Sequence, residues 1–227
     1  MLNADGNVVL TAPDFIFVDN VTALGDIEIT TQGNVIGENL SGGGDFNVQG
    51  NFVNLAEATL GADVAITATS TAVLTEFDVA GDIAVASSAD DIIVDGVRAQ
   101  GDVSLAAADD VRPATPEGIR RLEGANLTIF ANNINNDGFN GAFLYTDVDS
   151  ITTRIERGGQ LFINEQSDVE ANLLTQSGPI SLQTNGNITG NASITLPGND
   201  ITLIARGDGS DISVDSVVVL GLSLIHI

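Results

Sequence analysis

Five aspartates recur at matched points of this chain: Asp26, Asp45, Asp63, Asp82 and Asp102 follow one another at spacings of 19, 18, 19 and 20 residues. Each comes directly after a glycine, or one alanine later at Asp63. If the chain folds as stacked coils, these carboxylates form a column about 5 Å apart. Such a column admits two kinds of chemistry. Ca²⁺ is a hard cation that takes carboxylate oxygens, so it could bridge neighbours. Alternatively, each carboxylate caps its own corner, and solvent screens a repulsion of about 1 kcal/mol per pair in water. Ca²⁺ is therefore the one cofactor the sequence suggests. No Gly-Gly-x-Gly-x-Asp run accompanies the column, and Gly207-Asp-Gly-Ser-Asp211 is a single poor copy.

Other reactive groups are sparse. There is no Lys and no Cys, and the single histidine is His226. General acid–base work would fall to carboxylates. The acidic pairs Asp90/Asp91, Asp109/Asp110 and Asp147/Asp149 follow from density, since 31 residues are acidic. No group of aromatic residues converges to grip a sugar, so the chain is expected not to be an enzyme. The tripeptide Arg206-Gly207-Asp208 matches an integrin-binding motif, although Gly-Asp is this chain's own recurring signature. The run Asn133-x-Asn135-x-Asp137-Gly138 imitates an EF-hand loop, but its twelfth position is Leu144, which excludes it. Five Asn-x-Ser/Thr triplets, at Asn20, Asn39, Asn126, Asn187 and Asn191, follow from the abundance of Asn and Thr.

The formal charge of −24, with seven Arg, repels nucleic acid and anionic lipid alike. Apolar residues make up 43%, mostly Ile, Val, Leu and Ala, which suffices for a core. Twenty-five glycines and five prolines fit many short strands joined by tight turns. No apolar stretch is long enough for a transmembrane helix, and the first residues carry no export signal.

The elements that would position the aspartates are repeats. Gly, then Asp or Asn, then apolar-x-apolar recurs as Gly25-Asp-Ile-Glu-Ile, Gly44-Asp-Phe-Asn-Val, Gly81-Asp-Ile-Ala-Val and Gly101-Asp-Val-Ser-Leu. Looser copies begin at Gly6, Gly61, Gly124, Gly159, Gly178 and Gly198; a gap of 35 residues after Gly124 is read as two turns, with Gly141 as a degenerate start. A second element lies seven residues before a glycine: Val18-Asp-Asn-Val21, Leu74-Thr-Glu-Phe77, Val94-Asp-Gly-Val97 and Val214-Asp-Ser-Val217. Apolar alternation over three to five residues indicates strands. One such unit cannot bury its inward side chains, whereas stacked units can. The expected fold is all-β: a right-handed parallel β-helix (β-solenoid) of about 20 residues per coil, roughly eleven coils, and on the order of 50 Å long. Glycine at the corner supplies positive φ.

These coils resemble the repeats of filamentous haemagglutinin-type exoproteins of two-partner secretion and related giant bacterial adhesins. The resemblance covers residues 6 to 221. It implies a projecting right-handed β-helix, an outer-membrane secretion partner for the full-length protein, and residence outside the cell or on the outer-membrane surface. The expected function is a structural or adhesive stalk segment, with a host-cell, glycan or matrix ligand. A carbohydrate-active β-helix enzyme and a Ca²⁺-binding surface-layer-like repeat protein are the alternatives. An ice-binding solenoid would need a flat threonine array, and here threonine is scattered.

Residues 1–221 are expected to form a single solenoid. An irregular loop at 109–123 includes Thr115 and Pro116 as the start of one helical turn, together with Arg112, Arg120 and Arg121. The coils of 131–158 are also irregular. The final residues, Leu222–Ile227, can be encoded by CTGTCTCTTATACACATC, the transposon-end adapter of sequencing libraries. They are read as adapter-derived, which removes His226 from any functional role and marks the chain as a fragment.

Overall fold

A computed structural model describes residues 1–114, 121–134, 143–156, 159–196 and 199–219, and the backbone of 225–226. The chain is an all-β, right-handed parallel β-solenoid of about 10 turns with about 19 residues per turn. Among the described residues there is no helix, and every strand pairing is parallel.

Through the first half, each coil has one short and one long strand. The short strands Ile27–Thr31, Phe46–Gly50, Val64–Ala68, Ile83–Ser87 and Val103–Ala107 stack into a first face. Their register is continuous, with Ile27 opposite Phe46, Phe46 opposite Val64, Val64 opposite Ile83 and Ile83 opposite Val103. Their burial alternates strictly, inward Ile, Val and Phe against outward polar or small residues, as expected of a strand with one face on a core.

The long strands Phe15–Ala23, Asn34–Gly42, Val53–Leu60, Ala72–Val79 and Ile92–Ala99 bend in the middle. At the bend sit Asn20, Asn39, Glu57, Glu76 and Gly96, with φ of 57°, 54°, 53°, 57° and 66°. The left-handed residue turns the chain and divides the long strand into a second and a third face. The apolar-x-x-apolar element of the sequence is this bend: Val18 and Val21, Leu74 and Phe77, and Val94 and Val97 are buried on either side of it. The coils bending at Asn39 and Glu57 lack that signature because Gly37 and Ala58 replace the large apolar residues. A Cβ on Gly37 would lie 2.9 Å from Leu55 Cδ2, so the stacked core excludes one.

The core is a single column of aliphatic side chains with Phe46 and Phe77 fully buried in it. Burying each such side chain contributes about 1.5–3 kcal/mol, which one isolated coil could not obtain.

The stacking corrects the placement of several glycines. Val103 lies opposite Leu127, and Leu127 opposite Ile151, so two coils lengthen to 24 residues. The gap of 35 after Gly124 therefore holds one long coil and part of another. Gly159 and Gly178 precede Leu161–Glu165 and Ile180–Thr184, strands that continue the second face, since Val111 stacks on Ile134 and Ile134 on Leu161. They occupy a different corner from Gly25. Gly141 and Gly198 lie outside the described residues, as do Thr115, Pro116 and Arg120 of the expected helical turn.

From Leu161 onward the left-handed bend disappears. Strands Val169–Thr175, Ile188–Ile194 and Ile212–Val219 begin two or more residues earlier on the coil, and the corner moves to Gln166–Asp168 and Asn185–Asn187. The copy Val214-Asp-Ser-Val217 marks no bend; there the register shifts opposite Gly190/Asn191.

Candidate functional site

The aspartate column lies on the corner between the third and first faces. The carboxylates of Asp26, Asp63, Asp82 and Asp102 bond the coil above and not their own turn, while no such bond joins Asp45 to the Asp63 coil. Asp26, Asp63 and Asp82 accept from the backbone N–H groups of Asp45, Asp82 and Asp102 at 3.1, 2.9 and 2.8 Å. Asn7 begins the ladder, accepting from the Asp26 N–H at 2.9 Å and donating its amide to Asp26 Oδ2 at 3.0 Å. Asn126 ends the charged part by donating to Asp102 Oδ1 at 2.7 Å. In the second half Asp168 accepts from the Asn187 N–H at 2.7 Å, and Asn187 from the Asp211 N–H at 2.8 Å. This second ladder was hidden in the sequence because its corner has shifted.

The glycines of the signature serve this ladder by close approach. A Cβ on Gly44, Gly81 or Gly101 would lie 2.2, 2.1 or 2.0 Å from the carboxylate oxygen of Asp26, Asp63 or Asp82. None of the three has positive φ, so the expected conformational role gives way to a steric one.

The column does not gather three carboxylates at one point. Among the described residues, the group with three acidic oxygens within 4.8 Å of one another is Asp90, Asp91 and Asp109. Its members are engaged: Asp90 accepts from the Thr71 hydroxyl at 2.8 Å, Asp91 from Arg112 Nε at 2.8 Å, and Asp109 from the Asn132 amide at 3.3 Å. Asp110 next door is buried, and desolvation pushes its carboxyl above the usual range while Asn133 opposes the shift.

Glu165 is a fully buried carboxylate. It accepts from the Thr146 hydroxyl at 2.7 Å and from the N–H groups of Gln166, Ser167 and Val148 at 2.7, 3.1 and 3.3 Å. Burial still raises its pKa. One coil on, Thr184 occupies the same slot and accepts from the Gly186 N–H.

The cations follow a similar logic. Arg98 meets Glu123 through two N–H groups at 2.7 and 3.3 Å, and this contact holds its guanidinium charged above its ordinary range. Arg121 reaches Gln166 at 2.5 Å and Asp147 at 3.9 Å. A groove of about 450 Å³ runs beside them, lined by Glu76, Asp78 and Gly96 on its other wall. Arg206-Gly207-Asp208 starts a turn closed by the Ser210 N–H on the Gly207 carbonyl at 3.0 Å, with Arg206 and Asp208 exposed. The guanidinium of Arg206 rests on Gln183 at 2.5 Å. All five Asn-x-Ser/Thr asparagines hold structural positions: Asn20 and Asn39 at bends, Asn126 and Asn187 as ladder caps, and Asn191 donating to Asn172 at 3.1 Å.

No helix among the described residues is long and apolar enough to cross a membrane. Comparison with family models, curated proteins and solved structures returns no match.

Proposed function

We propose that the chain is a structural and adhesive stalk segment of a secreted or surface-exposed bacterial exoprotein of the filamentous haemagglutinin type. Its coils set length, and its outer faces and loops meet a host-cell, glycan or matrix ligand. One observation carries the reading: among the described residues the coils stack in parallel throughout, and four of the five column carboxylates join one coil to the next. A solenoid adds length at about 4.8 Å per coil without changing its cross-section, which suits a spacer.

The test is display of residues 1–227 on a non-adherent bacterium, followed by attachment to epithelial cells, matrix proteins and immobilised glycans. Attachment above that of the anchor alone is expected. Attachment equal to the anchor alone would contradict the adhesive role. Release of reducing ends from an acidic polysaccharide would replace the reading with that of a carbohydrate-active enzyme.

A further inference from the structure

The second face of the first five coils breaks the rule that outward positions are polar. Phe17, Ile36, Asn54, Val73 and Ile93 stack in register as one outward column. Phe15 precedes it in the first coil, and Phe15 and Phe17 are 50% and 59% exposed. On the neighbouring first face, the outward positions of the second to fifth coils are polar or small, such as Glu28, Asn47, Ala65 and Ala84, and only the first coil places a large apolar residue there, Val9 at 64% exposure. Four coil steps of about 4.8 Å make the column, apolar except at Asn54, about 19 Å long.

Acidic residues flank it. On the bend side stand exposed Asp19, Glu38, Glu57 and Glu76; at the opposite corner only the first and fifth coils are acidic, at Asp14 and half-buried Asp90. An apolar strip with an anionic margin along its bend side selects its partner by charge. Nucleic acid and anionic membranes are repelled. A second copy carries the same charge of −24, at a cost in association.

We propose that this face docks an amphipathic helix of another protein, with an apolar stripe bordered by Lys or Arg on the side that meets the bends. A helix rises about 1.5 Å per residue, so about 13 residues cover the column. Apolar contact supplies affinity and the acidic margin fixes orientation. The proposal concerns one face in solution and does not depend on the stalk reading.

The test is fluorescence anisotropy of a labelled 18-residue Leu/Lys peptide, leucines on one helical face, titrated with the full 227-residue chain. Two comparison peptides replace Lys by Glu, or Leu by Ser. Saturable binding of the Leu/Lys peptide alone is expected. Combined Phe17→Asn and Val73→Asn should weaken it at least tenfold, and Phe130→Asn on the first face should leave it within twofold. Asn54 already occupies this column, so Asn is tolerated there; thermal melts verify folding, and Ile93→Asn serves if the double variant melts early. No binding of the Leu/Lys peptide, equal binding of the Ser/Lys peptide, or unchanged binding by the double variant would overturn the proposal.

Discussion

At the scale of single residues, the coil corner is a set of backbone donors met by side chains of the coil below. Asp82 accepts from the Asp102 N–H at 2.8 Å. Asp82→Ala should cost about 1 kcal/mol, as loss of a helix cap does, whereas Asp82→Asn should be nearly neutral, since Asn7 and Asn187 do the same work. Urea unfolding of the two variants distinguishes them. Glu57 adopts φ 53° where three other coils use Asn20, Asn39 and Gly96, and only Glu76 shares its residue type. Glu57→Asn should gain a few tenths of a kcal/mol by easing a left-handed backbone, read as a raised urea midpoint. Thr153 lies between Ile129 and Leu173 in the core column, its hydroxyl buried without a partner. Thr153→Val removes that unmet polar group and should stabilise by about 1 kcal/mol. Glu165 gives the pH dependence. Its folded pKa is raised, so its stabilising contribution is complete below the unfolded carboxylate value and is lost as pH rises through the folded one. The melting temperature should therefore fall between about pH 4 and neutrality. Glu165→Gln should flatten that slope; an unchanged slope would exclude Glu165 as its source.

At the scale of elements, the first half was legible because its signals are local. Gly-Asp-apolar-x-apolar marks corner and strand, and apolar-x-x-apolar marks a bend that keeps Val18 and Val21 on the same core. What local pattern could not convey was where a side chain finds its partner. Asp26 looks like a cap for its own turn, yet its acceptor oxygen meets Asp45, 19 residues away. Gly44 looks like a conformational glycine, yet it is needed because Asp26 approaches from the neighbouring coil. The second half was misphased for the same reason. Gly159 and Gly178 repeat at the right interval but at another corner, and only the pairing of Ile134 with Leu161 and Leu161 with Ile180 shows it. Glu165 carried no signal at all, because a buried carboxylate in a corner slot has the same sequence context as an exposed one.

At the scale of the whole molecule, length is built from interchangeable coils. Each coil contacts its neighbours, and its corner acceptors are placed for any coil of the same phase. A net charge of −24 is spread along the corners and margins, which favours solubility and makes stability rise with salt as repulsion is screened. Coil deletion probes this interchangeability. Removing Val64–Asp82 joins Asp63 to Ile83, and removing Ile27–Asp45 joins Asp26 to Phe46, each excising one coil in register. Dyes near residues 4 and 213 then report end-to-end distance by energy transfer. The distance should shorten by about 4.8 Å for each coil removed, with cooperative unfolding retained. An unchanged distance, or loss of cooperative unfolding after a single deletion, would contradict a rod made of equivalent coils.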